Sequence, residues 1–194
     1  MPSDAAVIDA AGRAQARAGD VEQALSTFRR LATLQPTAPE PYLRLVELYM
    51  ASGKRDQAET AAAKALELAP DSGAVHAAFV NVLISADRQR QAKEYIERFR
   101  KSKPTEPVGY LLEAQFHARQ RNADAAVAVL QDGLKNTGRS EIARSLHSVL
   151  LQAARPGDAE RFAEAWFKQH PKDQAFEYQM AVADLAQGRN ASAE

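Results

Sequence analysis

The sequence has no cysteine and no excess of charge of either sign. The absence of cysteine excludes disulfide bonds, Cys-ligated zinc and a thiol nucleophile. Lys plus Arg number 25 and Asp plus Glu number 25, so the sequence does not predict nucleic-acid binding, because affinity for phosphate backbones depends on excess basic residues. No uncharged apolar run is long enough for a membrane-spanning helix and no apolar signal-peptide core follows Met1, so we expect no membrane-inserted segment.

Sequence motifs of common enzyme classes are also missing. The chain has no G-x-x-x-x-G-K-[ST], no G-x-G-x-x-G and no G-x-S-x-G. Its histidines are His76, His117, His147 and His170, and none is spaced to put two metal ligands one helical turn apart. We expect His76 and His117 to be structural and His170, which precedes Pro171, to be exposed. The sequence therefore predicts no enzyme activity, no cofactor and no metal site.

The chain does contain an internal repeat, which prolines and alanines mark at a constant interval. Pro36, Pro70 and Pro104 are evenly spaced, and Pro171 follows after almost two further intervals, with Gly138 where the missing proline would fall. The same spacing recurs in an alanine series, at Ala24, Ala58, Ala92, Ala126 and Ala159. A period of about 34 residues indicates stacked supersecondary units.

Apolar residues between these markers have the helical period. Tyr42, Leu45, Val46 and Tyr49 are spaced by 3, 1 and 3, which gives one face of a helix. Glycines such as Gly19 recur in the turns, and the prolines stop every second helix. The pattern predicts eleven helices, at 4–18, 21–34, 38–52, 55–68, 72–86, 88–102, 106–120, 123–136, 140–153, 157–169 and 173–187.

In the spacing of these alanines and prolines and in its paired helices, the sequence resembles the tetratricopeptide (TPR) repeat over nearly its whole length. The resemblance implies an all-α superhelix, or α-solenoid, of about five and a half helical hairpins, forming a single array over 1–194. It also implies that the alanines lie where the two helices of a hairpin come closest. Because no polar cap is evident, we expect the chain to be part of a longer array. The predicted repeats span 5–36, 37–70, 71–104, 105–138, 139–171 and, in part, 172–194. The alternative to such an array is a plain helical bundle.

The TPR resemblance also implies a concave groove, lined by the first helix of each hairpin, that binds a protein or peptide. The alternative is that these faces are merely solvated. The inward positions of two-carboxylate clamps hold Asp9, Arg13 and Arg44 instead of the Lys and Asn that a clamp needs. The arginines would donate to carboxylates or carbonyls, with apolar contacts beside them. Carried over to this sequence, the candidate partner-binding residues are Arg13, Arg17, Arg44, Glu47, Met50, Asn81, Leu111, Gln115, Arg119, Arg144 and Tyr178.

The stretch Ala-Glu-Ala-Trp-Phe-Lys-Gln-His-Pro-Lys-Asp at 163–173 is similar to large bacterial TPR-repeat lipoproteins. Those proteins are associated with PEP-CTERM (exosortase) protein sorting and exopolysaccharide export. This narrower resemblance implies a non-catalytic scaffold that is periplasmic or associated with the outer membrane. A cytoplasmic adaptor is one alternative. Another is a structural spacer that forms homo-oligomers by burying Tyr178, Met180 and Val182 of its last helix between chains.

Overall fold

Proline and glycine divide the chain into helices of 12 to 15 residues. The computed structural model describes the backbone of residues 4–186 and the side chains of residues 4–183. Within that range there are eleven α-helices and no strand, which confirms the predicted all-α fold of helical hairpins. Every predicted helix is present with its ends within two residues of prediction, whereas the part of the predicted sixth repeat after residue 186 lies outside the described residues. The helices are α1 (Ala5–Ala18), α2 (Val21–Leu34), α3 (Glu40–Ala51), α4 (Arg55–Leu68), α5 (Gly73–Ser85), α6 (Gln89–Ser102), α7 (Pro107–Arg119), α8 (Ala123–Thr137), α9 (Ser140–Gln152), α10 (Pro156–Gln169) and α11 (Gln174–Ala186).

The second helix of each hairpin ends at a helix-stopping residue. Helices α2, α4, α6 and α10 each end two residues before a proline of the repeat series. Proline disfavours a helical conformation at the residue before it and has no N–H to donate. Gly138 has the same function after α8, where it adopts φ 62° and donates its N–H to the Leu134 carbonyl. The repeat spacing therefore has a direct cause in the backbone.

The turn inside every hairpin contains one residue in the left-handed conformation. Gly19 and Gly53 have φ of 85° and 69°, and the equivalent Asp87, Arg121 and Ala154 have φ of 61°, 58° and 56°. The residue after each of them donates its N–H to a carbonyl five positions earlier, at 2.8 to 3.0 Å. This geometry closes the end of the first helix. For the three non-glycine residues it costs roughly 1–2 kcal/mol each.

Replacing Ala154 with glycine is expected to raise the free energy of unfolding by about 0.5–1 kcal/mol. Glycine removes the clash of Cβ with the backbone, although its greater freedom in the unfolded chain offsets part of the gain. Urea denaturation of the variant beside the wild type measures the change. Gly19→Ala is the matched control and should shift stability in the opposite direction. A loss of stability in Ala154→Gly would contradict the turn geometry.

The alanine series marks the contact between the two helices of each hairpin, as predicted. A larger side chain at these positions would hold the helices apart, because helix surfaces approach closely only over small residues. Hairpin partners α1 and α2, α3 and α4, and α7 and α8 pack against each other along their length. The relative exposure is 0% for four members of the series and 1% for the last: Ala24, Ala58, Ala92, Ala126 and Ala159.

The chain divides into two compact units between Tyr95 and Ile96, which we call unit 1 (1–95) and unit 2 (96–194). The core of unit 1 is built around Phe28, which is 1% exposed. An added Cβ at Gly12 would lie 2.7 Å from that ring, so a bulky first-helix residue is excluded there. The single array predicted over 1–194 stays a prediction.

Unit 2 contains an aromatic core at its C-terminal end. Trp166 is buried and packs with Phe176 at 6.2 Å between ring centroids. Its Nε1 donates to Asp173 Oδ2 at 2.9 Å, and the other oxygen of Asp173 accepts from the N–H of Phe176 at 3.1 Å. Asp173 therefore joins the end of α10 to the first turn of α11.

A charged cluster replaces apolar packing at one first-helix position of unit 2. Glu113 occupies a position that is usually apolar in TPR repeats, and it pairs with Arg100 of α6. The guanidinium of Arg100 also donates to Asp132 at 2.8 Å and lies 4.2 Å from the centroid of the Tyr110 ring. The half-buried carboxylate of Glu113 is thus compensated, which explains how the repeat tolerates it.

Candidate functional site

Two of the three predicted binding arginines of unit 1, Arg13 and Arg44, are engaged within the chain. Arg13 Nε lies 2.8 Å from Asp9 Oδ2, and Arg44 Nε lies 3.6 Å from Asp9 Oδ1. Arg44 Nη1 also lies 3.3 Å from Glu47 Oε2. Asp9 therefore links α1 to α3 and pairs with two of the predicted cations. These exposed ion pairs contribute little stability, but they compete with any carboxylate of a partner.

The remaining candidates of unit 1 have different surroundings. Met50 is half-buried and packs against the core of the unit. Asn81 is half-buried on α5 and takes part in an interaction with its surroundings. Arg17 is exposed in the last turn of α1. The structure thus joins Arg13 and Arg44 through Asp9, and it joins Glu47 to Arg44.

Unit 2 contains a groove of about 540 Å³ that includes three of the predicted residues, Leu111, Gln115 and Arg144. We call it the unit 2 groove. Its walls are one face of α7, one face of α9 and a single residue of α11. The lining residues are Leu111, Ala114, Gln115 and Ala118 of α7, then Glu141, Arg144, Ser145, Ser148, Val149 and Gln152 of α9, and Gln179 of α11.

Helical spacing and small side chains create this groove. The four residues of α7 are spaced by 3, 1 and 3, and the residues of α9 repeat at 3 and 4, so each set shares one helix face. Ala114, Ala118, Ser145 and Ser148 fill little of the space between the helices. The walls are consequently mixed, with aliphatic surface at Leu111 beside amide and hydroxyl groups.

The backbone of Arg144 is held in place within the α9 wall of the unit 2 groove. Gln179 Nε2 donates to the backbone oxygen of Arg144 at 2.8 Å, which connects α11 to α9. The Nε of Arg144 is buried and has no hydrogen-bond partner among the described residues. Further along the wall, Gln152 Nε2 donates to Ser148 Oγ at 3.3 Å. The α9 wall therefore carries a cation between Glu141 and Ser148, with neutral polar groups further along it.

Two predicted residues of unit 2 lie away from this groove. Arg119 is the exposed last residue of α7 and does not line the groove. The preceding residue, Ala118, lines the α7 wall instead. Tyr178 is 74% exposed on α11 and is not among the lining residues. Conversely, the sequence prediction missed Ser145, a small residue that carries no pattern of its own.

The histidines have structural contacts, with one correction. His76 is buried, and its Nε2 donates to the Pro70 oxygen at 2.9 Å, so Nδ1 accepts from the Tyr95 hydroxyl at 2.5 Å. The predicted structural role of His76 is confirmed. The prediction that His170 is exposed is wrong, because its ring is half-buried and stacks on Trp166 at 3.8 Å between centroids. The helical period does not extend into the turn, so the sequence gives no signal that His170 lies against Trp166.

The described part of the chain contains neither a membrane-crossing helix nor a cluster of metal-binding side chains. Between residues 4 and 186, none of the helices combines the length and the apolar character that a bilayer crossing requires. The same part of the chain holds no group of three or more His, Cys, Asp or Glu side chains placed to bind a metal ion.

Comparison with known proteins places the fold among TPR proteins. Residues 15–78 match the family model described as Tetratricopeptide repeat. A thermophilic TPR protein of Thermus thermophilus is 20% identical, with a TM-score of 0.52, over 94% of this chain and 100% of that one. MamA of Desulfovibrio magneticus RS-1, from residue 41 to its end, is 16% identical, with a TM-score of 0.50, over 87% and 97%. Yeast Tom70 is 20% identical, with a TM-score of 0.60, over 97% of this chain and 42% of that one. No curated protein matches the sequence.

These findings confirm the predicted hairpin fold and, for residues 15–78, the predicted TPR repeats. TPR proteins are typically non-catalytic and bind protein or peptide partners, so the fold is consistent with an interaction scaffold. The narrower resemblance to envelope lipoproteins stays a prediction.

Proposed function

We propose that the chain is a non-catalytic interaction module that binds an extended segment of another protein in the unit 2 groove. The observation that supports this most directly is the composition of the walls. Amide and hydroxyl groups of Gln115, Ser145, Ser148 and Gln152 lie beside the aliphatic surface of Leu111. A binding site that combines apolar surface with a few polar groups is typical of peptide and ligand recognition.

An extended segment fits these walls better than a helix. An extended backbone presents unpaired N–H and C=O groups, whereas a helix has already paired its own. Side-chain amides both donate and accept, so the groove can hydrogen-bond either backbone group. The α9 wall runs from Glu141 to Gln152, about 16 Å at 1.5 Å per residue, which matches about five extended residues.

The ionisable groups of the lining support a non-catalytic role. Glu141 and Arg144 are the titratable side chains among the lining residues. Arginine remains protonated under physiological conditions, so Glu141 is the one lining side chain that could exchange a proton, and it has no second acid or base beside it in the wall.

Blocking the groove should abolish peptide binding. Peptides of random sequence are displayed and selected on the wild-type chain, and their affinities are then measured for Ser148→Trp. We expect at least a tenfold loss, because an indole at this half-buried wall position occupies the space of the ligand. Ala128→Trp is the matched control, since Ala128 is exposed on α8 and outside the wall.

Two results would overturn the proposed function. One is a selection that yields no binding peptide from the wild-type chain. The other is a set of peptides whose affinity is unchanged by Ser148→Trp, which would place binding elsewhere. Thermal unfolding of both tryptophan variants shows whether each remains folded.

The proposed setting is a bacterial envelope assembly for exopolysaccharide or sorted proteins. The similarity of residues 163–173 to the TPR-repeat lipoproteins supports it, and a periplasmic or outer-membrane-associated location follows. Fractionation of the source cells, with an antibody against the native protein, tests this location. Recovery in the cytosol alone would favour the cytoplasmic adaptor instead.

Self-association is a second candidate function. Tyr178 and Val182, one helical turn apart on α11, are 74% and 47% exposed, which is unusual for large apolar side chains. Contact between copies through this face would bury them. Light scattering over a concentration series decides the question, because a monomer at the highest concentration excludes it.

A further inference from the structure

We infer that the unit 2 groove recognises one acidic side chain within the bound segment, and that Arg144 is the residue that pairs with it. This inference rests on the proposed function and adds the chemistry of the ligand. It differs from a two-carboxylate clamp, whose residues the sequence lacks.

Arg144 has an unfilled hydrogen-bonding requirement. Its Nε is buried and without a partner among the described residues, although the residue lines the groove. A buried donor that lacks a partner costs free energy, and buried N–H groups in folded proteins are almost always paired. The buried Nε is closed to a ligand, so an acceptor on the ligand would pair with the part of the guanidinium that faces the groove.

The acceptor should be a carboxylate. The planar guanidinium matches the geometry of a carboxylate with two parallel hydrogen bonds. Asp173 interacts with the charge of Arg144 and shares its carboxylate with Trp166 Nε1 and the N–H of Phe176. Arg144 is the one cationic side chain among the lining residues, so it is the group of the wall that can attract an acidic side chain.

The groove favours a single acidic group. Glu141 lines the wall one helical turn before Arg144 and is exposed. If the ligand carried a second carboxylate next to the first, Glu141 would repel that second group. The wall continues on both sides of Arg144, towards Glu141 and towards Ser148. The segment can consequently pass through the groove, which favours an internal Asp or Glu side chain over a free C-terminus.

The test uses a peptide selected on the wild-type chain that contains Asp or Glu, acetylated and amidated at its ends. Fluorescence anisotropy measures its Kd for the wild type and for Arg144→Ala. We expect the substitution to weaken binding by about tenfold to a hundredfold. Changing the acidic residue of the peptide to its amide should weaken binding to the wild type similarly, with little further loss on Arg144→Ala.

A charge swap and a matched control sharpen the result. Arg144→Glu should bind the peptide whose acidic residue is replaced by Lys better than it binds the original peptide. Arg119→Ala removes an arginine of the same unit that lies outside the groove, and it should leave the affinity unchanged. Thermal unfolding of each variant confirms that its fold is retained.

The outcomes separate this inference from the proposed function. If Ser148→Trp abolishes binding while the acidic residue and Arg144 have no effect, the groove binds peptides but this inference is wrong. If only peptides with a free C-terminus bind, the ligand group is the terminal carboxylate, and the internal side chain is excluded. If no peptide is selected, the proposed function fails, and this inference fails with it.

Discussion

Asp173→Ala is expected to lower the free energy of unfolding of unit 2 by about 2–4 kcal/mol. The substitution removes the acceptor for the buried Trp166 indole N–H and the acceptor for the first turn of α11. A lost helix cap costs about 1 kcal/mol, and a buried donor left unpaired costs about 1–3 kcal/mol. Urea denaturation followed by Trp166 fluorescence measures the change, since this is the single tryptophan of the chain.

The pH dependence of the same variant checks the cause. Burial raises the pKa of the Asp173 carboxyl, but hydrogen bonds from Trp166 and from the N–H of Phe176 help lower it below its ordinary value. A carboxyl with a depressed folded-state pKa contributes stability that is present above its unfolded-state pKa and is lost as the pH falls through the folded-state value. The stability difference between wild type and Asp173→Ala should therefore be largest near neutral pH and shrink in acid.

Asp173→Asn is the control for that experiment. It retains one acceptor oxygen and cannot ionise, so we expect a smaller loss of stability and no titration from this site. A stability difference between wild type and Asp173→Ala that does not change between neutral and acid pH would contradict a role for the ionised carboxylate.

Ala58→Leu is expected to cost about 1–3 kcal/mol, because three further carbon atoms cannot fit between α3 and α4. Ala58 is 0% exposed, and its neighbours Ala61 and Ala62 are also buried. Thermal unfolding should show a Tm lower by roughly 2–4 °C for each kcal/mol lost. Ala14→Leu is the matched control, because Ala14 is exposed on α1 and leucine is also a good helix former. An unchanged Tm for Ala58→Leu would contradict the repeat register.

Local signals explain why the helices could be predicted from the sequence. A proline two residues after a helix, an alanine at a helix contact and a glycine in a turn each act on their own few residues, so Pro70 or Gly19 is informative without tertiary context. The turns at Asp87 and Arg121 were still placed correctly, because the period of the proline and alanine series extends to repeats that lack the glycine.

The candidate site could be predicted only in part. Leu111, Gln115 and Arg144, which the TPR resemblance carries to inward positions, lie on the walls of the unit 2 groove. Helical phase gives no information about which charges are already paired, and so it did not indicate that Asp9 would engage Arg44 across two helices. The exact wall residue at a helix end also depends on where the helix stops, which is why Ala118 lines the groove in place of Arg119.

The turns between paired helices also bear on how this protein acquires its structure. Helix α1 ends at Ala18 and α2 begins at Val21, so the first hairpin closes across two residues, and its partners lie close in sequence. Little chain entropy is lost in bringing such neighbours together, and folds rich in local contacts reach the native state within microseconds to milliseconds. Ribosomes add only about 5–20 residues per second, so closing of a hairpin is not the slow step. Because one repeat cannot bury its apolar face alone, we expect a hairpin to become stable once its neighbours have been synthesised.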